Sequence, residues 1–217
     1  MAHVIPFHGT LYNPATVGDV RQVVAPPYDI IDATLQKTLH DRHPNNVIRL
    51  ELGYEQPGDT TGDNKYLRAA GALKEWLKSG ALRRDDKPAI YYHTIEYQPP
   101  YSAPGTPTKV FKGFLSTVEL EEFGSGKIYP HENTRAAAKT DRFNLLEACR
   151  ANFSAIISLY SDPQNDVLTL IERSIASDKP RIDFQDDVGF RQRLWSVTDP
   201  AVLAKVVEIM HTKQLFI

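Results

Sequence analysis

The 217-residue sequence predicts an α+β fold with a mixed, largely antiparallel sheet and packed helices. Helical and strand periodicities alternate along the chain, and no internal repeat is present. Two strand-like runs flank a proline-rich connection, as in a long hairpin, and Asp199 followed by Pro200 marks a clear helix start. A composition of 41% hydrophobic and 24% charged residues agrees with a globular protein that has a sizeable core.

The first 80 residues predict two helices separated by a strand. Asp32 is expected to cap a helix that Pro44 ends, because the residue before a proline avoids helical angles. Apolar and polar residues alternate over 47–52, which predicts a strand with one apolar face. The range 63–80 shows helical spacing of apolar residues, with its first residue as the expected cap and its terminal glycine just past the end.

The rest of the chain adds strands and helices in alternation. The hairpin arms are predicted at 89–97 and 108–120, a buried strand at 153–160, a helix at 167–175, a strand at 190–197 and a last helix from Pro200. The last four residues are apolar and strand-like, and such an edge is normally paired or covered. We therefore expect residues 1–217 to form a single α+β unit at the amino-terminal part of a longer chain.

Charge and cysteine content narrow the function classes. The chain has 25 basic and 27 acidic residues, hence a formal charge of −2, so we expect neither nucleic acid nor membrane as a partner. Cys149 is a single cysteine, no apolar run approaches the roughly 18 residues of a membrane span, and the first basic residue is Arg21. These features predict a cytoplasmic protein and leave its oligomeric state open.

The range 129–142 holds the densest set of functional groups in the sequence. Thr134 is expected to cap a helix that three following alanines propagate. At about 100° per residue, one face of this helix carries a basic stripe with an apolar end, formed by Arg135, Lys139, Arg142 and Leu146. Because the apolar end should meet a core, we expect the basic side chains to point inward and to need an anion.

Two kinds of anion can satisfy these cations, and the alternatives are a solvated face, metal binding, or a helix that begins only at Thr140, in which case the stripe shrinks to Arg142. Carboxylates such as Glu132 or Asp141 would make a structural ion-pair cluster, whereas a bound phosphate would be favoured by the positive end of the helix. His131 and Glu132 are adjacent and point to opposite sides of an extended segment, so at most one of them is a general base. Earlier in the chain, Asp29 suits a rigid turn or the wall of a small-molecule pocket.

Several segments, in this order, carry a family resemblance. They are Ala25-Pro26-Pro27-Tyr28-Asp29, then Asn46-Val47-Ile48-Arg49-Leu50, then His131-Glu132 with Thr134, and Lys139 with Asp141-Arg142 ahead of Leu145-Leu146. Over its whole length the chain resembles the bacterial and archaeal family known as domain of unknown function 1015. Members of that family continue into an Ala-Asp-Gly-His-His-Arg-Tyr stretch, which is similar to the phosphate-contacting motif of the ParB and sulfiredoxin-like superfamily. The resemblance implies a nucleotide or phosphorylated metabolite as ligand.

Residues and resemblance together predict a phosphate- or nucleotide-binding enzyme of the phosphoryl-transfer type, a phosphotransferase or phosphatase of a small metabolite. The predicted phosphate- and nucleotide-binding residues are Thr134, Lys139, Arg142 and Asp29, and the predicted catalytic residues are Glu132 and His131. Mg²⁺ is expected with the nucleotide. No metal is expected on protein ligands, because only His40 and His43 have ligand spacing, and a lone pair at a helix end before Pro44 is more often surface decoration than a zinc site. The alternative is a non-catalytic regulatory module that binds a nucleotide or phosphometabolite.

Overall fold

The computed structural model describes residues 3–103, 105–122, 124, 126–131 and 135–217. The helices are α1 Pro14–Val17, α2 Ala33–Arg42, α3 Ile48–Glu51, α4 Lys65–Ser79, α5 Ala136–Cys149, α6 Asp166–Ser174 and α7 Pro200–His211. The strands are β1 Val4–Ile5, β2 Thr10–Tyr12, β3 Leu82–Arg84, β4 Ile90–Tyr97, β5 Lys109–Leu115, β6 Thr117–Val118, β7 Ile128–Tyr129, β8 Ile182–Gln185, β9 Arg191–Val197 and β10 Leu215–Phe216. The α+β class predicted from the sequence is confirmed.

The chain folds into two compact units. Unit 1 comprises Met1–Gly9, Asp85–Glu132 and Ile156–Ile217. Unit 2 comprises Thr10–Arg84 and Asn133–Ala155. The predicted single α+β unit stays a prediction, because two compact units can belong to one domain.

Unit 1 is built on a four-stranded antiparallel sheet with strand order β5-β4-β9-β8. The predicted hairpin is confirmed as β4 and β5, which pair from Tyr91 opposite Leu115 to Tyr97 opposite Lys109. Apolar residues of β4 and β9 form a core with α6 and α7. The predicted cap of α7 is also confirmed, because the Asp199 side chain accepts from the backbone N–H of Ala201 at 2.8 Å.

Two short strand pairings complete unit 1, and one predicted strand is wrong. β1 pairs with β6 antiparallel, and β10 pairs with β7 parallel. The range 153–160 is not a buried strand: Leu159 makes a single bridge to Phe216, while Ile156 and Ile157 are 78% and 71% exposed. An apolar run indicates burial only when a partner strand receives it, and local sequence carries no information about that partner.

Unit 2 is mainly helical. α4 packs against α3 and α5, and its core contains Leu50 and Trp76. The Asn64 side chain caps α4 by accepting from two backbone N–H groups, so the predicted cap at the preceding aspartate is wrong by one residue. Gly80 ends α4 in the left-handed conformation, as predicted.

The predicted strand over 47–52 is wrong, because the chain forms the short helix α3 there. The buried side chain of Asn46 explains the difference. Its oxygen accepts from the Ile48 N–H at 3.0 Å, and its amide group donates to the carbonyl oxygens of Gln22 at 2.8 Å and Val24 at 3.1 Å. These bonds favour a turn over an extended chain, and this local effect outweighs the alternating pattern.

In the described part of the chain, no helix has the length and apolar character that crossing a bilayer requires.

Candidate functional site

The predicted phosphate-binding segment contains α5, whose orientation differs from the predicted one. Leu145 is buried at 6% exposure, whereas Lys139 and Leu146 are exposed. The expectation that the whole basic stripe points inward is therefore wrong. Leu145 and Leu146 are adjacent, so only one of them can face the core. The face of α5 that points inward is therefore centred one residue before the predicted one, on Leu145 instead of Leu146.

Arg142 is the residue of the stripe that does point inward. Its Nη1 donates to Oε1 of Glu51 at 2.7 Å, and its Nη2 donates to the Glu51 carbonyl oxygen at 2.9 Å. Its Nε donates to Oδ2 of Asp141 at 3.0 Å, and its guanidinium carbon lies 4.2 Å from the centre of the Tyr28 ring. Glu51 is only 5% exposed, so this pair joins α5 to α3 in a largely desolvated setting.

Asp141 extends the same set of contacts toward α4. Its Oδ1 accepts from the Tyr66 hydroxyl and from the Lys65 ammonium, each at 2.9 Å. Lys65 also reaches Glu55 at 3.0 Å. Burial disfavours the charged form of Asp141, but hydrogen bonds from Arg142, Lys65 and Tyr66 outweigh burial and lower the pKa of its carboxyl.

The contacts form a continuous cluster, which we call the Glu51–Arg142 network: Glu51, Lys65, Tyr66, Asp141, Arg142 and Ser154. Ser154 joins it by donating its hydroxyl to Oε1 of Glu51 at 2.5 Å. Next to the network lies a recess of about 10 Å³, lined among others by Gly53 and Leu145. This volume suits about one water molecule, so the recess does not accommodate a metabolite.

The other predicted site residues lie elsewhere or outside the described residues. Lys139 is exposed on α5, and Asp29 is exposed in the short 3₁₀ turn Tyr28–Ile30 of unit 2. His131 is exposed in unit 1, where its backbone N–H donates to the carbonyl oxygen of Ile217 at 2.8 Å. Glu132 and Thr134 lie outside the described residues; α5 begins at Ala136, with Arg135 at the N-cap position.

Comparison with known proteins places the chain in a family. The family model described as "Protein of unknown function (DUF1015)" matches residues 4–217. The chain belongs to the DUF1015 family. The family resemblance drawn from the ordered motifs is thereby confirmed, while the more distant resemblance to the ParB and sulfiredoxin-like superfamily stays a prediction. No curated protein and no solved structure matches this DUF1015 chain.

Three of the four motifs that carry the DUF1015 resemblance contribute to the network or border it. Tyr28 comes from the first motif, Glu51 directly follows the second, and Asp141 and Arg142 belong to the last. Lys65 was missed by sequence reasoning, since it lies outside every motif. Glu51 was missed because an expected strand would have placed it on a solvent-facing side.

Over the described ranges, no three or more His, Cys, Asp or Glu side chains are grouped so that they could hold an ion. The two carboxylates of the network, Glu51 and Asp141, are paired with its two cations, Arg142 and Lys65.

Proposed function

We propose that unit 2 binds the phosphate group of a small phosphorylated metabolite or nucleotide at the amino end of α5. The observation that supports this proposal is the composition of the first turn of α5. It contains no acidic side chain, and no side chain of the described residues caps it. Lys139, at the end of this turn, is exposed, and its ammonium group has no partner among the described residues.

Electrostatics explain why such a helix end favours an anion. The first backbone N–H groups of a helix have no partner within the helix, and the helix dipole gives this end a partial positive charge. Lys139 and Arg135 add positive charge at the same end, which costs roughly 0.3–1 kcal/mol for each cation. A bound phosphate would accept from the free N–H groups and neutralise the cations.

Arg142 has a different role in this proposal from the one predicted by sequence. Glu51 and Asp141 already pair with its guanidinium, so a phosphate would have to displace two carboxylates to reach it. We assign Arg142 to holding α5 against α3, which fixes the position of the phosphate-binding turn. Asp29, an exposed acceptor of unit 2, is assigned to hydroxyl groups of the ligand.

Phosphoryl transfer is the more specific form of this proposal. It adds a Mg²⁺ ion carried by the nucleotide and a base that orients the nucleophile, for which Glu132 and His131 are the sequence-based candidates. Glu132 lies outside the described residues, and His131 belongs to unit 1. The first turn of α5 supports phosphate binding alone. The alternative function, a regulatory module that binds the ligand without turnover, therefore requires no catalytic base in addition to this turn.

Calorimetric titration of the full chain with ATP, ADP and inorganic phosphate tests the proposal. Lys139→Ala should weaken binding about tenfold, since a charge-assisted contact is lost. Lys74→Ala removes an equally exposed lysine from the middle of α4 and should leave the affinity unchanged. Absence of binding, or equal effects of the two variants, would contradict the proposal.

Turnover separates the two forms of the function. Incubation with MgATP and a panel of hydroxylated metabolites, followed by ³¹P NMR, should show a new phosphate ester if the chain transfers phosphoryl groups. If the ligand binds but no product forms over hours, the chain is the regulatory module instead.

A further inference from the structure

The four-stranded sheet of unit 1 ends in a groove. The connection after β4 and the connection between β8 and β9 both leave from this end, because Glu96 of β4 and Gln185 of β8 are each paired with Arg191 of β9. The groove has a volume of about 700 Å³, within the range of small-molecule sites. Its lining residues include Glu96, Gln98, Asp183, Gln185 and Arg191.

Cross-strand register places the polar side chains of this end in two rows on one face of the sheet. Residues directly opposite one another in neighbouring strands share a face. The outer row is Glu96, Arg191 and Gln185. The next row contains Arg193 and Asp183, which are also opposite each other.

The charges of the two rows cancel in diagonal pairs. Nε and Nη2 of Arg191 donate to the two carboxylate oxygens of Asp183, each at 2.8 Å. Nη2 of Arg193 donates to Glu96 at 3.0 Å. Two guanidinium groups and two carboxylates give no net charge. A charged ligand would therefore be attracted by one member of each pair and repelled by the other.

The same groups keep unused hydrogen-bonding capacity. A guanidinium has five N–H donors, and the pair with Asp183 uses two of those of Arg191. The amide nitrogens of Gln98 and Gln185 donate to the carbonyl oxygens of Thr106 and Gly189. Their amide oxygens accept no hydrogen bond from the described residues.

An uncharged ligand that donates and accepts hydrogen bonds at closely spaced positions fits this face. Hydroxyl groups do both, and neighbouring hydroxyls of a sugar ring can bridge planar carboxylate, guanidinium and amide groups. We propose that the groove at the end of the β5-β4-β9-β8 sheet is a binding site for a neutral saccharide.

NMR titration of the full chain tests this site. Cellotriose and maltotriose are added in turn, and the side-chain signals of Arg191 Nε and of the glutamine amides are followed. At least one of the two sugars should shift these signals in a saturable way. Trigalacturonate, matched in length but carrying three carboxylates, should bind at least about threefold more weakly, because its carboxylates lose hydration while Arg191 and Arg193 are already paired with Asp183 and Glu96.

Substitution of a single amide provides the matched control. Gln185→Leu removes an exposed amide from the groove and should weaken binding about three- to tenfold, the loss expected for one or two hydrogen bonds. Gln22→Leu makes the same chemical change on an exposed residue of unit 2 and should have no effect. Absence of shifts with both neutral sugars, tighter binding of trigalacturonate, or equal behaviour of the two variants would overturn the proposal.

Discussion

The guanidinium of Arg142 stacks on the ring of Tyr28, with its central carbon 4.2 Å from the ring centre. The edge of the same guanidinium is occupied by Glu51 and Asp141. Stacking and bidentate pairing both require a planar cation, which arginine provides and lysine does not. The residue therefore fixes α5 to two segments that are distant in sequence.

Replacing Arg142 by lysine should destabilise unit 2 although the charge is kept. The variant loses the contact with the Tyr28 ring and the two guanidinium donors to the buried Glu51, whose carboxylate keeps the Ser154 hydroxyl, which should cost about 2–3 kcal/mol. Urea unfolding, followed by the fluorescence of Trp76 in unit 2 after Trp195 of unit 1 is changed to phenylalanine, measures the loss.

Arg150→Lys is the matched control for this substitution. Arg150 is exposed at the end of α5, so its replacement should change the free energy of unfolding by less than about 0.5 kcal/mol. A shift at Arg142 no larger than that at Arg150 would show that the stacked pair does not hold α5.

Sequence predicted the parts of this fold that depend on local interactions. Asp32 and Asp199 cap their helices by reaching backbone N–H groups two or three residues away, so the relevant atoms are adjacent in the sequence. α3 was mispredicted because Asn46 also bonds the carbonyl oxygens of Gln22 and Val24, more than twenty residues earlier. The alternation of apolar and polar residues in this segment does not indicate such long-range contacts.

The same limit explains what was predicted of the candidate site. Arg142 was recognised as a residue that needs an anion, because its type and helical position are local properties. Its partner Glu51 lies 91 residues away, and its identity depends on how α3 and α5 pack. The phase of α5 depended on a choice between Leu145 and Leu146, which only the neighbouring helix decides.

Two glycines of α4 should respond to alanine in opposite directions. A Cβ on Gly71, in the middle of the helix, would meet no atom of the described residues within 4 Å, and alanine is the better helix former. Gly71→Ala should therefore stabilise unit 2 by about 1 kcal/mol. Gly80 has φ of 77°, a conformation that strains a residue with a Cβ, so Gly80→Ala should cost about 1 kcal/mol.

Urea unfolding with the same Trp76 signal measures both changes, and each variant serves as control for the other. Shifts of the same sign would contradict the assignment of Gly80 to the left-handed cap or of Gly71 to an open helical position.

His40 should make the stability of unit 2 depend on pH. The residue is 8% exposed, and its ring stacks on Tyr54 with centroids 4.0 Å apart. Its Nε2 is buried with no hydrogen-bond partner among the described residues. Burial lowers the pKa of His40 below 6.5, and the positive charge of Arg49 adds to this effect. A backbone hydrogen bond at Leu52 and the charge of Asp41 oppose it.

The direction of the pH effect follows from the lowered pKa. The unfolded chain takes up a proton at His40 near pH 6.5, whereas the folded chain takes it up only at lower pH. The free energy of unfolding should therefore fall as pH drops below 6.5, by up to about 1.4 kcal/mol for each pH unit, until the folded pKa is reached. Urea titrations of the Trp76 signal on both sides of pH 6.5 measure this slope.

In His40→Phe, which keeps an aromatic ring against Tyr54, the slope should disappear, whereas His211→Gln in unit 1 should retain it. An unchanged slope in His40→Phe would assign the pH dependence to another group.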